Sequence, residues 1–314
     1  MAAAPVGFQL PEGAVWFITG CSTGIGRALV QHIASKTSDR VVATARNPQA
    51  LSYVDDNDRV LKVALDVKSK TSIDAAVTQA LQKFGRIDVV VNNAGYNVLG
   101  DTEAISDEAA RAVVDTDFWG MVDVTRRVLP VLRETNAENG GKQGGLVMNV
   151  SSMGGFVGYP GNAFYHSAKF AMEGFTESVA KEMPPDWNIH FSIIEPGGVE
   201  TNFATTSIQI PDRHPAYESN PHSATTFMLG LMHNPEILKN FARVEDVAAA
   251  MYGIASRGGK IPLRVPLGPD AWSAIQADVE QLRVDIEAIK DLSMSVGSKE
   301  QLELLKALDA KSKK

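Results

Sequence analysis

The chain has 314 residues, 44% hydrophobic and 21% charged, and its 30 Lys and Arg against 37 Asp and Glu leave a formal charge of −7. Such a chain buries a sizeable core, which excludes disorder and small stapled scaffolds, and the acidic balance argues against nucleic acid as a partner. A single cysteine, Cys21, allows no internal disulfide, and no zinc-ligand spacing occurs among it and the six histidines, so no metal site is expected.

Taken in chain order, apolar runs of strand length alternate with stretches of helical period. Strands are expected at 14–19, 41–45, 60–64 and 87–92, with helices after the first and third. The second helix has Ser69 or Thr71 as cap, a face of Ile73, Val77, Ala80, Leu81 and Phe84, and Gly85 as its stop. A long helix at 108–134, a polar Gly-rich loop at 136–145, a strand at 146–150, a helix at 165–183 and a strand at 189–194 follow. Alternation of this kind implies βαβ units on a parallel sheet. From 203 to 240 periodicity weakens and Pro, His, Ser, Thr and Asn accumulate, as in a segment that covers a site.

Trp272, Ile275, Val279, Leu282, Ile286 and Ile289 then form an amphipathic stripe, expected to pack on its own domain, with a partner-binding face as the alternative. The expected architecture is α/β: one doubly wound parallel-sheet domain over 1–314, with a core at 14–202, a lid at 203–240, and C-terminal helices and a last strand at 241–314. The first ten residues lack the basic and long apolar regions of a signal peptide, and no uncharged apolar run reaches the ~18 residues of a membrane span. A cytoplasmic location is expected. Asn149-Val150-Ser151 matches a glycosylation sequon but falls in an expected strand and is read as structural.

Where the first strand hands over to the first helix, the chain reads Thr19-Gly20-Cys21-Ser22-Thr23-Gly24-Ile25-Gly26. Glycines there permit a tight turn and close approach of a pyrophosphate, held by free N–H groups and the positive end of the helix dipole. The same residues contain a literal G-x-S-x-G around Ser22, the pattern of a serine hydrolase nucleophile elbow. Only 21 residues precede Ser22, too few for the strands and oxyanion loop that normally come first.

The glycine spacing, Asn92-Asn93-Ala94-Gly95, Ser152 in Asn149-Val150-Ser151-Ser152, Tyr165-His166-Ser167-Ala168-Lys169 and Pro196-Gly197-Gly198-Val199-Glu200-Thr201 together resemble the short-chain dehydrogenase/reductase family, in that family's order. Ala43-Thr44-Ala45-Arg46-Asn47-Pro48 and Ser152-Met153-Gly154-Gly155 are most similar to its 17β-hydroxysteroid and retinol dehydrogenase branch. The resemblance implies a Rossmann fold and reversible hydride transfer between a nicotinamide and a ketone or secondary alcohol, with a dimer or tetramer by family habit. Tyr165 would be the acid–base, Lys169 its activator and ribose ligand, and Ser152 a donor to the substrate oxygen. Lys169 follows Tyr165 by four residues, hence on the same helix face, where its ammonium favours the phenolate. His166, being adjacent, points away and is read as packing.

Asp117 stands where the family has an Asn thought to hold a relay water, so the same role is expected of it, with altered electrostatics; a cofactor-binding relative with weak catalysis is the alternative. Gly20, Ser22, Thr23, Gly24, Ile25 and Gly26 would contact the cofactor, Asp66 the adenine, and Asn93, Ala94 and Gly95 the adenosine side. Pro196, Gly197, Val199 and Thr201 would hold the nicotinamide end. Asp66 also reads as a helix cap. After the second strand an acidic residue would bond the 2′-hydroxyl, whereas Arg pairs with a 2′-phosphate. Here the expected acidic position is Ala45 and Arg46 follows, so NADP(H) is favoured over NAD(H). Phe203, Ile208, Ile210, Tyr217, Phe227, Met228 and Leu229 suggest a pocket for a bulky apolar metabolite.

Overall fold

The computed structural model describes residues 7–139, 142–201, 207–232 and 234–312. It begins β1 (Val15–Ile18), α1 (Gly24–Lys36), β2 (Arg40–Ala45), β3 (Val60–Ala64), α2 (Lys70–Phe84), β4 (Val89–Asn92) and a short β5 (Asn97–Val98). Helices α3 (Asp107–Val114), α4 (Gly120–Pro130) and α5 (Asn136–Glu138) lead to β6 (Gly145–Val150), α6 (Ala163–Glu182), β7 (Ile189–Pro196), β8 (Val199–Glu200) and β9 (Ile208–Gln209). Then come α7 (Pro215–Glu218), α8 (Ala224–Met232), α9 (Pro235–Leu238), β10 (Ala242–Arg243), α10 (Val244–Ser256), β11 (Arg264–Leu267), α11 (Pro269–Ala288), α12 (Lys290–Ser295) and α13 (Lys299–Ser312).

Seven strands form one parallel sheet in the order β3-β2-β1-β4-β6-β7-β11, the doubly wound arrangement expected. Alternation along β1 divides the core between the two faces. Trp16 and Ile18 pack with Leu29 and Ile33 of α1 and Met251 of α10, whereas Val15 and Phe17 pack with Ile73 and Val77 of α2 and Val124 and Val128 of α4. Each such large side chain contributes roughly 1.5–3 kcal/mol by leaving water. The local signals of α2 are realised: the Ser69 side chain accepts from Ser72 N, and Gly85, at φ 75°, closes the helix in the left-handed region.

The expected single helix at 108–134 is broken by two π-helical turns, Asp115–Trp119 and Val131–Thr135. Pro130, which lacks an N–H, immediately precedes the second and forces the ladder to widen there. The polar loop expected from 136 starts later, because α5 continues the helix and Asn136 is buried, its Nδ2 donating to Ile87 O (2.7 Å) and Gly144 O (2.9 Å).

Within the expected lid, β9 pairs in parallel with β5, Asn97 opposite Ile208. Arg213 Nε and Nη2 donate to the buried Asp101 carboxylate at 2.6 and 3.2 Å. Residues as far as Trp272 form one compact unit and Ser273–Lys314 another. The amphipathic stripe does form on a helix as far as Ile286; Ile275 is buried and Trp272, Val279, Leu282, Ile286 and Ile289 are exposed. Periodicity reports a face suited to burial without supplying the surface that covers it. Among the described residues no helix is long and apolar enough to cross a membrane, and no group of three or more His, Cys, Asp or Glu could hold a metal.

Candidate active site

At the C-terminal edge of the sheet the chain turns from β1 into α1 through the Gly-rich segment. Gly20 has φ +70°, and a Cβ there would lie 2.7 Å from Ala94 Cα; at Gly26 it would lie 2.6 Å from Gly20 O. Both positions need the missing side chain, one for conformation and both for space. Thr19 and Asn93 tie this turn to the end of β4: Thr19 Oγ1 accepts from Asn93 N and Ala94 N (2.9 and 3.0 Å), and Asn93 Nδ2 donates to Thr19 O and Gly20 O (both 3.0 Å). Thr23 caps α1 without a side-chain hydrogen bond, so its hydroxyl claims none of the first-turn N–H groups.

Past the end of β6, Ser151 Oγ donates to Glu173 Oε1 at 2.6 Å, while Ser152, whose Oγ accepts from Gly154 N at 3.0 Å, lines the same cavity as Tyr165. Tyr165 and Lys169 lie one turn apart on α6, with Lys169 Nζ 5.5 Å from the Tyr165 ring centre. The ammonium is almost wholly buried and donates to Val150 O at 3.0 Å. Opposite it, the first π turn aims Asp117 inward: Oδ1 accepts from Tyr96 N at 3.0 Å and Oδ2 lies 3.4 Å from Lys169 Nζ, an ion pair long for a hydrogen bond. Burial pushes the Asp117 carboxyl up to about 6, opposed by the Lys169 charge and the Tyr96 N–H. Burial, then the charge of Asp117, push the Tyr165 phenol well above its ordinary value, opposed by the polar Ser152 side chain. His166 faces elsewhere, as expected: its Nδ1 accepts from Tyr159 N at 3.1 Å, and burial lowers it to about 4.

A cavity of about 540 Å³ joins these groups. Of the residues singled out from the sequence, Gly20, Ser22, Thr23, Gly24, Ile25, Arg46, Asp66, Asn93, Ala94, Gly95, Ser152, Tyr165, Lys169, Pro196, Gly197, Val199 and Thr201 line it; Gly26 and Asp117 are not among its lining. Asp66 does not cap α2, a task taken by Ser69; its Oδ1 accepts from Lys68 N at 3.0 Å. Lys68, Tyr96, Thr116, Ser207 and Gln209 also line the cavity and were not anticipated. Lys68 lay within reach of sequence reasoning, two residues after Asp66, but Ser207 and Gln209 arrive through the β5–β9 pairing, which no motif announces. Ile208, Ile210, Tyr217, Phe227, Met228 and Leu229 are absent from the lining, and Phe203 lies outside the described residues.

The model of the short chain dehydrogenase family matches residues 14–210. The chain belongs to the short-chain dehydrogenase/reductase family. It is 44% identical to the oxidoreductase calM of Penicillium decumbens over 290 residues, 91% of this chain and 94% of that one. It is 32% identical to human 17-beta-hydroxysteroid dehydrogenase type 1 over 260 residues, 80% of this chain and 76% of that one. A short-chain dehydrogenase from Streptomyces avermitilis superposes with a TM-score of 0.79 at 29% identity, covering 92% of this chain and 100% of that one. The chain is thus an oxidoreductase of a family that binds nicotinamide cofactors. Among the described residues no histidine lines the cavity beside Ser22 to activate it, so the G-x-S-x-G there lacks the partner a serine nucleophile needs.

Proposed function

We propose that the protein is an NADP(H)-dependent carbonyl reductase of small-molecule ketones, able to run in reverse on secondary alcohols. The observation that carries this reading is a single cavity whose wall brings Ser152, Tyr165 and Lys169 together with the Gly-rich turn. The residues fit a dinucleotide: the glycine cradle has no room for side chains, and the cavity runs from Arg46 and Asp66 to Pro196 and Thr201. Bound cofactor supplies the hydride. Ser152 orients the substrate oxygen and, with Tyr165, stabilises negative charge developing on it. Tyr165 delivers the proton to that oxygen, and Lys169 holds the positive charge that steadies the phenolate left behind. Gly20, Ser22, Thr23, Gly24, Ile25, Gly26, Asp66, Asn93, Ala94, Gly95, Pro196, Gly197, Val199 and Thr201 hold the cofactor along its length.

Preference for NADP(H) rests on Arg46 and Ala45 at the end of β2. Arg46 is exposed, lines the cavity and forms no ion pair among the described residues, and Lys68 offers a second cation on the same lining. Consumption of NADPH, followed optically against a panel of ketones, tests the proposal. Wild type should turn over at least one ketone, and Tyr165→Phe should lose about 10²- to 10⁴-fold of that rate while keeping its fold and cofactor affinity. Turnover that survives Tyr165→Phe would refute the mechanism.

A further inference from the structure

Lys169 alone would make Tyr165 more acidic. In this chain the ammonium faces a carboxylate where the family pattern has a neutral amide, and the contact is direct: Lys169 Nζ to Asp117 Oδ2 is 3.4 Å, with Asp117 wholly buried and Lys169 nearly so. We infer that Asp117 is a positioning residue that cancels the charge of Lys169 and so keeps Tyr165 a loaded proton donor, extending carbonyl reduction into alkaline conditions. The inference deepens the carbonyl-reductase reading and rests on it for its kinetic consequence.

The surroundings leave Asp117 in control of that balance. From α6 it faces Lys169 and Tyr165; from the segment after β4 it faces the Tyr96 N–H and, across no more than a glycine's width, Gly95, where a Cβ would lie 2.8 Å from Oδ2. Asp115 on the same π turn and Arg46 after β2 act on Tyr96, with opposite signs, and His166 is neutral near pH 7. Lys169 is thus the cation paired with Asp117 among the described residues. The carboxyl ionises at about 6, far below the range in which Tyr165 loses its proton, so Asp117 carries its full negative charge wherever that equilibrium matters.

In the reductive direction the carbonyl carbon takes the hydride from the reduced nicotinamide, the C=O π pair moves to oxygen, and that oxygen takes the Tyr165 proton. One proton is consumed per ketone, and solvent reloads the phenolate. Asp117 cannot change the ketone–alcohol equilibrium. What it changes is the pH at which Tyr165 stays loaded: reduction holds its full rate to higher pH, and oxidation, which starts from the phenolate, reaches its plateau only at higher pH.

The test is ultraviolet titration of phenolate in the cofactor-free protein, with Tyr165→Phe subtracted to isolate Tyr165 among the six tyrosines. Wild-type Tyr165 should ionise above the ordinary tyrosine value of ~10. Asp117→Asn, and independently the smaller Asp117→Ser, should make Tyr165 at least about tenfold more acidic, the effect of one uncompensated charge at short range. In turnover, the alkaline limb of kcat/KM for reduction should move down by a similar factor in proton concentration; loss of structural support alone would lower the rate without moving that limb. A wild-type Tyr165 ionising below the ordinary value, or folded variants that leave its titration unchanged, would overturn the inference. Absence of turnover in wild type would count against the carbonyl-reductase reading and leave the titration to decide the role of Asp117.

Discussion

Helix α6 presents two buried charge clusters one turn apart, and they differ in kind. Lys169 meets Asp117, one cation for one anion, beside the cavity. Four residues on, Glu173 shares Arg264 with Glu195, which gives two buried carboxylates to one guanidinium, none of the three in the cavity lining. Ser151, which lines the cavity, links the two by donating to Glu173. In the second cluster the excess negative charge has no chemistry to serve. It joins β7, β11 and α6 through Arg264, and burial together with the charge of Glu173 pushes Glu195 up to about 7. The lesson is that buried charge by itself does not mark a catalytic group; its balance and its exposure to the cavity do.

Substitution can break this contrast. The largest effect is expected from Arg264→Ala, which strands two carboxylates and should destabilise the fold by about 3–5 kcal/mol near pH 8. Glu195 is raised in the folded state, so its contribution to stability is complete below the ordinary carboxylate range and is lost as pH rises through about 7. The penalty in Arg264→Ala should therefore shrink on acidification, measured as the denaturant midpoint at several pH values. Activity per folded molecule should be retained at moderate temperature; a rate that collapses while the fold persists would move this cluster into the chemistry. The smaller effect is expected at the far end of the cavity. Arg46→Ala should lower the ratio of kcat/KM for NADPH over NADH by about 10- to 100-fold, the worth of a charge-assisted contact, and an unchanged ratio would remove the basis for NADP(H) preference.

The parts of the molecule legible in the sequence are those where local chemistry and the sheet agree. The β1–α1 turn announces itself because only glycine fits at Gly20 and Gly26, and α2 because Ser69 and Gly85 mark its ends. Tyr165 and Lys169 are related by helical spacing alone, and the structure keeps that relation. What stayed hidden depends on contacts between distant segments or on departures from regular helix. The π turn that directs Asp117 at Lys169 has no signature in the residues that form it, and only Pro130 betrays the second break. Ser207 and Gln209 reach the cavity through two residues of strand pairing, too short a signal to recognise beforehand.

We propose that Tyr165, Ser152 and Lys169 serve hydride transfer from NADPH to a carbonyl carbon. The most direct test is a mixed panel of ketones incubated with NADPH deuterated at C4, with separate samples carrying the label on each face, and the alcohols analysed by mass spectrometry. Wild type should place one deuterium on the carbinol carbon of at least one alcohol, from one face of the cofactor only, and Tyr165→Phe should lose nearly all of that product. Unlabelled alcohol, label from both faces, or equal labelling by Tyr165→Phe would contradict the account.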